Sequence, residues 1–255
     1  MPSAAARRQY SGPALFSFGF RPFFLGAALW AVLAVPLWLW VHLGGPAGAT
    51  PVDRDWHVHE MLFGYVGGVI AGFLLTAVPN WTGRLPVTGA PLVLLFGLWL
   101  AGRVAMLVAT VPPAAAMVDA AFLVVFAGVV WREVLAGRNW RNLPVAVMVS
   151  LLALANLTFH ARLLWPDLGP PAERGAIAMI ALLIAFIGGR VVPSFTRNWM
   201  MQARLTPLPA AEDRLDRLGV IVAAAGLAAW IAFPDHPLAG VGLCLGGAAT
   251  LARLA

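Results

Sequence analysis

Long apolar runs alternate with short polar breaks along the whole chain. Most of these runs approach or exceed the roughly 20 apolar residues that a helix needs to cross a bilayer. The breaks are rich in glycine, proline and charge, which interrupt helices. The pattern predicts an all-α, polytopic transmembrane bundle of about eight spans, with residues 1–22 as an N-terminal arm and 23–255 as one membrane domain. The runs lie at residues 23–43, 57–79, 91–110, 114–131, 143–165, 175–195, 218–233 and 238–255.

Composition and charge support a membrane protein and exclude other classes. Of the 255 residues, 61% are hydrophobic and only 11% are charged, whereas about a quarter of the residues of a soluble domain are charged. All 17 basic residues are arginine, and 11 of them lie in the arm or after runs 2, 4 and 6, against 2 in the other loops. This bias predicts a cytoplasmic N-terminus. The same bias explains the basic charge by membrane topology rather than by nucleic-acid binding. The single cysteine, Cys244, forms no disulfide within the chain.

Two similar segments suggest an internal repeat. Val78-Pro79-Asn80-Trp81-Thr82 and Val192-Pro193-Ser194-Phe195-Thr196 are predicted to end the second and sixth helices. A duplicated four-helix unit would explain them, and so would two unrelated helix ends that place proline and an aromatic residue at the interface.

The predicted topology puts all five histidines on the outer side; they are His42, His57, His59, His160 and His236. The densest polar cluster is His57-Val58-His59-Glu60-Met61. His57 and His59 are about 200° apart on a regular helix, so such a helix cannot direct both at one metal ion. An isolated interfacial histidine is also explained by a polar side chain that reaches the headgroups, so a structural role stays open for each of them.

His57 and His160 are predicted at similar depth, which suits two axial ligands of a transmembrane haem. We therefore expect them to be the main ligands of haem or copper, with His59 as an alternative or second-site ligand. Glu60 is expected to orient an imidazole through a hydrogen bond, and the thioether of Met61 suits Cu(I).

Two further features of the apolar runs are candidates for packing or for cofactor binding. Arg103 and Asp119 are matched in depth on neighbouring helices, so we expect an ion pair, with haem propionate binding by Arg103 as the alternative. Gly64, Gly68 and Gly72 form a stripe of small residues that predicts a close contact, either with another helix or with a flat macrocycle.

Segments at the start of the first run and in and around the second and sixth runs resemble the NnrS family. The resemblance extends from residue 20 to about residue 200 and is carried by Phe20–Phe24, by Trp56-His57-Val58-His59-Glu60-Met61-Leu62-Phe63-Gly64-Tyr65, by 72–83 and by 188–196. It implies a multi-pass protein of the bacterial inner membrane that contains haem and copper and is associated with nitric oxide and nitrosative stress. Family members usually extend further and carry a later Gly-His-Thr-Gly-Arg segment. This chain stops after its eighth run, so we expect any metal site that uses that histidine to be incomplete here.

Three functions follow from these observations. The first is a membrane haem and copper protein of nitric-oxide metabolism or nitrosative-stress resistance, with nitric oxide or a related small molecule as partner. The second is a small-solute transporter, which the scarcity of acidic residues near the bilayer centre disfavours. The third is a non-catalytic assembly subunit of a respiratory complex. A haemochrome spectrum and copper analysis separate the first from the others, and the residue pattern assigns neither a catalytic step nor a protein partner.

Overall fold

The described part of the chain is helical. The computed structural model describes residues 10–45, 51–108, 112–208 and 214–252, so residues 1–9 of the predicted arm lie outside it. Within these ranges, six helices are long and apolar enough to cross a membrane, and two further apolar helices are shorter. The predicted all-α, polytopic membrane bundle of about eight spans is confirmed. The helices are α1 (Phe20–His42), α2 (Arg54–Thr82), α3 (Ala90–Val108), α4 (Pro112–Ala136), α5 (Leu143–Ala161), α6 (Gly169–Gln202), α7 (Arg214–Ala232) and α8 (Pro237–Ala252).

The ends of these helices follow local chemistry. The side chain of Asp53 precedes α2 and accepts a hydrogen bond from the backbone N–H of Trp56 at 2.7 Å, which satisfies one of the free donors at a helix start. Gly83 ends α2 in the left-handed conformation with φ of 72°, where glycine avoids the strain that a Cβ would cause. Pro144 lies in the first turn of α5, where its missing N–H costs no helical hydrogen bond.

The predicted end of α6 is wrong. The helix continues to Gln202, so Val192–Thr196 lies inside it, whereas Val78–Thr82 ends α2. Pro193 does not terminate α6, since a membrane helix tolerates an interior proline. The two similar segments therefore occupy different positions in their helices.

The chain divides into two compact units, residues 1–169 and 170–255. In the first unit α2 is central, because it packs against α1, α3 and α4. The apolar window of α2 is 56% buried, against 11% for α1. Leu29, Val32 and Leu94 are among many large apolar side chains that stay exposed, as expected where lipid replaces water.

In the second unit α7 and α8 form a tight pair. A Cβ placed on Gly226 would lie 2.5 Å from the carbonyl carbon of Gly242. The two backbones therefore touch, in the manner of small-residue contacts between membrane helices.

The glycine stripe of α2 makes the predicted close contact. A Cβ on Gly68 would lie 3.1 Å from Nε1 of Trp99, and one on Gly72 would lie 2.7 Å from the ring of Phe24. Side chains from α1 and α3 fill the space above these glycines. The stripe therefore lies at a packing contact between helices, which is the first of the two predicted alternatives.

Candidate metal centre

Six polar side chains converge where α2 begins and α5 ends. We call this set the histidine cluster; its members are His59, Glu60, Arg103, Asp119, Asn156 and His160. Five of them are 0–1% exposed, while the side chain of His160 is 11% exposed. Burying so many polar groups in an apolar bundle is costly unless each finds a partner, so the contacts among them decide what the cluster can do.

The local shape of α2 sets the direction of His59 and Glu60. The first residues, Arg54–His59, are α-helical, but Glu60–Tyr65 form a π-helical turn before the α-helix resumes at Val66. Such a turn inserts an extra residue and is frequent at functional sites. Trp99 donates its indole N–H to the carbonyl oxygen of Gly64 in this turn, at 2.9 Å.

His59 has a carboxylate oxygen against each ring nitrogen. Its Nδ1 lies 3.0 Å from Oε1 of Glu60, and its Nε2 lies 3.0 Å from Oδ2 of Asp119. A neutral imidazole carries only one N–H. One of the two contacts therefore needs an additional cation, which is either a second proton, on the ring or on the carboxyl group, or a metal ion between the nitrogen and the carboxylate.

Asp119 Oδ2 is the point at which the cluster converges. Nε2 of His160 lies 2.8 Å from it, and Asn156 donates its Nδ2–H to it at 2.9 Å. The rings of His59 and His160 have centroids 4.9 Å apart. Thus two imidazoles, one from α2 and one from α5, contact a single carboxylate oxygen on α4.

Arg103 bridges the two carboxylates of the cluster. Its Nη1 donates to Oε2 of Glu60 at 2.7 Å and its Nη2 donates to Oδ1 of Asp119. Trp30 of α1 also donates to Oε2 of Glu60, at 2.7 Å. The predicted ion pair of Arg103 with Asp119 is confirmed, and both terminal nitrogens of the guanidinium contact carboxylates.

The charges of the cluster do not cancel. Glu60 and Asp119 carry two negative charges and Arg103 carries one positive charge, so the cluster is left with one negative charge while both histidines are neutral. An uncompensated charge in the bundle is unfavourable. One added proton or a monovalent ion such as Cu(I) balances this charge, whereas a divalent ion changes it to one positive charge.

His57 lies apart from these contacts. Its ring stacks on Trp38 of α1 with centroids 3.9 Å apart, and Trp38 also stacks against His42 at 5.0 Å. The structure therefore directs His57 and His59 to different neighbours, as expected from their angular separation. It brings His59, rather than His57, together with His160.

Sequence reasoning missed the part played by Asp119 and Asn156 in this site. The sequence predicts Asp119 only as the partner of Arg103, and it predicts no role for Asn156, which lies one helical turn before His160. The available signal was the presence of an acidic residue and an amide in otherwise apolar helices, each near the depth of His160.

The ligand atoms suit a single small ion. The nitrogen and oxygen donors of His59, Asp119 and His160 lie within 4.8 Å of one another. Imidazole nitrogen and carboxylate oxygen are ligands for zinc, copper and iron, and two histidines with one carboxylate leave coordination positions open. His160 is the most exposed of the three, with 11% of its side chain accessible.

The same geometry does not suit an axially ligated haem. A macrocycle between two axial imidazoles must separate their rings, but those of His59 and His160 are in contact and face the same carboxylate oxygen. Phe63 and Phe159 pack against His59, each with centroids 5.3 Å from its ring. The histidine cluster thus has no layer for a porphyrin.

Comparison with known proteins gives one result. The profile of the family described as NnrS protein matches residues 14–255, which is nearly the whole chain. No curated protein and no solved structure matches the chain. Together with the helices described above, this match identifies the chain as a membrane protein that belongs to the NnrS family.

Proposed function

We propose that this chain is a multi-pass membrane metalloprotein of the bacterial inner membrane, with its N-terminus in the cytoplasm, and that it acts in nitric-oxide metabolism or nitrosative-stress resistance. Its metal ion is held by His59, Asp119 and His160. The observation that carries this proposal is the approach of two imidazole nitrogens to one carboxylate oxygen, at 3.0 and 2.8 Å, in a cluster with one surplus negative charge.

Each residue has a distinct role. Glu60 accepts the Nδ1–H of His59, which selects the tautomer with a lone pair on Nε2. Nε2 of His160 and Oδ2 of Asp119 complete the donor set, and Asn156 holds the same carboxylate oxygen through its amide. Phe63 and Phe159 exclude water from one side of His59.

The ion we propose is copper. Imidazole and carboxylate donors accept several first-row divalent ions, and copper is the one that the family resemblance implies. When bound, such an ion supplies an open coordination position for a small molecule. The link to nitric oxide comes from the family resemblance, and we assign no haem to this cluster.

The metal site is tested by replacing its ligands singly. We expect purified wild-type protein to contain about one metal ion per chain, and His59→Ala and His160→Ala to lose it. His57→Ala, on the same turn but stacked on Trp38, is the matched control and keeps the metal. Metal is counted by mass spectrometry, and folding is checked by size-exclusion chromatography. Full metal content in both the His59 and the His160 variant contradicts the assignment.

A haemochrome spectrum of the same preparations tests the haem that the family resemblance implies. His57 and His160 remain predicted haem ligands from the sequence, and Glu60 and Arg103 remain predicted haem contacts. Haem that persists in the His59 and His160 variants is bound elsewhere in the chain. Haem that disappears only with His57 would establish a second cofactor site beside Trp38.

The biological role is tested in a strain that lacks this protein. We expect the wild-type gene to restore growth in the presence of a nitric-oxide donor, and Asp119→Asn to fail at equal membrane abundance. A wild-type protein that contains no metal and restores no tolerance would contradict the proposal. A transporter or an assembly subunit would then be the function to examine.

A further inference from the structure

We propose that Arg103 is the positioning residue of the metal site, and that it holds both the ligand Asp119 and the carboxylate that orients His59. This inference rests on the proposed function, since it assigns a role within the same site. It differs from simple charge neutralisation, because the contacts are divided among particular oxygen atoms.

The two oxygens of Asp119 have separate partners. Oδ1 accepts from Nη2 of Arg103, while Oδ2 faces the histidines at 3.0 and 2.8 Å. The guanidinium therefore determines which oxygen is turned toward the ion. Without it, the carboxylate is free to rotate, and its ligating oxygen loses a defined direction.

The two oxygens of Glu60 are divided in the same way. Oε2 accepts from Arg103 and from Trp30, both at 2.7 Å, and Oε1 lies 3.0 Å from Nδ1 of His59. Arg103 thus fixes the carboxylate that fixes the imidazole. Partners of this kind control ligand orientation and metal affinity.

The position of the guanidinium depends on Gly64. A Cβ at that residue would overlap Nη1 of Arg103 and would lie 2.7 Å from Oε2 of Glu60. Nε of Arg103 is buried and has no hydrogen-bond partner among the described residues. The guanidinium is therefore held by its two terminal nitrogens, each on a different carboxylate.

Lysine cannot reproduce this bridge. The planar fork of arginine presents two N–H donors in fixed directions, whereas an ammonium group is a compact point charge on a flexible stem. Arg103→Lys preserves the charge and loses the geometry. It separates positioning from charge balance in a single substitution.

A charge-matched double variant removes the whole bridge between Arg103 and Glu60 while it keeps the net charge. In the wild type, Glu60, Asp119 and Arg103 sum to one negative charge, and in Arg103→Met with Glu60→Gln the remaining Asp119 carries the same charge. We expect both this variant and Arg103→Lys to bind Cu(II) roughly 10- to 100-fold more weakly, with an altered electron paramagnetic resonance spectrum. Affinity is measured by competition with a chelator.

The control removes an equivalent ion pair far from the histidines. Arg84 and Glu133 form such a pair at 2.6 Å, and Arg84→Met with Glu133→Gln is expected to leave Cu(II) affinity and spectrum unchanged. Wild-type affinity and spectrum in Arg103→Lys or in the Arg103/Glu60 double variant would overturn the positioning role. Absence of Cu(II) binding by the wild type would instead overturn the proposed function, so the two failures are distinguishable.

Discussion

Two buried carboxylates on α4 meet arginine in different ways. Asp119, near the start of α4, belongs to the histidine cluster, whereas Glu133, near its end, lies beside Arg84 and Arg132. Both carboxylates are almost fully buried, at 1% and 3% exposed. Their partners, however, differ in number, charge and access to water.

The carboxylate of Glu133 is paired on both oxygens by the side chains that surround it. Oε2 of Glu133 accepts from Arg84 at 2.6 Å, and Oε1 accepts from Nη2 of Arg132 at 2.8 Å. The two arginine side chains are 40% and 61% exposed, so water solvates the positive charge that remains. This site joins α4 to the end of α2 and needs no further ion.

The histidine cluster has the opposite balance. While its imidazoles are neutral, the cluster has more hydrogen-bond acceptors than protons to donate, and its net charge is negative. Among its members, only His160 reaches the surface. The difference teaches that a buried arginine–carboxylate pair is not by itself a sign of function. A surplus of convergent and buried lone pairs is the more informative feature.

The first prediction places the two sites on opposite sides of the membrane. A reporter fused after Gly45, at the end of α1, is expected outside, and one fused after Asn139, beyond the Glu133 site, is expected inside. The 11-to-2 arginine bias is the reason. An alkaline phosphatase fusion should be active only at the first position, and activity at both positions would contradict the topology.

The second prediction compares the two carboxylates directly. Asp119→Asn should lower metal content roughly tenfold or more, since it removes a ligand. Glu133→Gln should leave metal content unchanged and lower the free energy of unfolding by about 1 kcal/mol, the usual contribution of a lost hydrogen bond. Metal analysis and thermal unfolding in detergent measure both effects. Equal loss of metal in the two variants would show that Asp119 acts only through folding.

The third prediction uses two glycines with different surroundings. Gly64→Ala should displace Arg103 and weaken metal binding several-fold, because a Cβ overlaps the guanidinium. A Cβ at Gly97 on α3 would have no described residue within 4 Å, so Gly97→Ala should be neutral or stabilising by up to about 1 kcal/mol. Chelator competition and thermal unfolding distinguish the pair. A neutral Gly64→Ala would contradict the tight fit of Arg103.

A smaller effect is expected from two tryptophans. Trp30→Phe removes the indole N–H that Glu60 accepts at 2.7 Å, whereas Trp131→Phe removes one that Ser150 accepts at 2.8 Å. The first should weaken metal affinity about threefold through the orientation of His59, by analogy with other ligand-supporting contacts. The second should leave it unchanged. Identical metal affinities in the two variants would show that Arg103, and not Trp30, holds Glu60 in place.

The smallest effect concerns ionic strength. The arginines of the Glu133 site are partly exposed, so about 1 M salt should screen their attraction and reduce the stability difference between wild type and Glu133→Gln. Metal affinity of the histidine cluster should change less than about twofold, because its charges lie away from solvent. Titration at two salt concentrations measures both, and a strongly salt-dependent metal affinity would indicate a solvated site.

Much of this arrangement is predictable from the sequence alone. Runs of apolar residues are enough to locate the helices, because each helix satisfies its own backbone hydrogen bonds and needs only sufficient length to cross the bilayer. Arg103 and Asp119 were predicted to pair because a short connection makes their helices antiparallel neighbours. The glycine stripe was predicted to lie at a contact because its spacing repeats on one helical face.

Only the tertiary structure decided which histidine faces Asp119. His57 and His59 lie on the same short segment, and the sequence favoured His57 as the partner of His160. The rotation of α2 about its axis, the π-helical turn at Glu60–Tyr65 and the stacking of Trp38 on His57 direct His59 to the cluster instead. These depend on packing against α1, α3 and α4, which joins residues far apart in the chain. Local spacing therefore determined the possible faces, and long-range packing selected one of them.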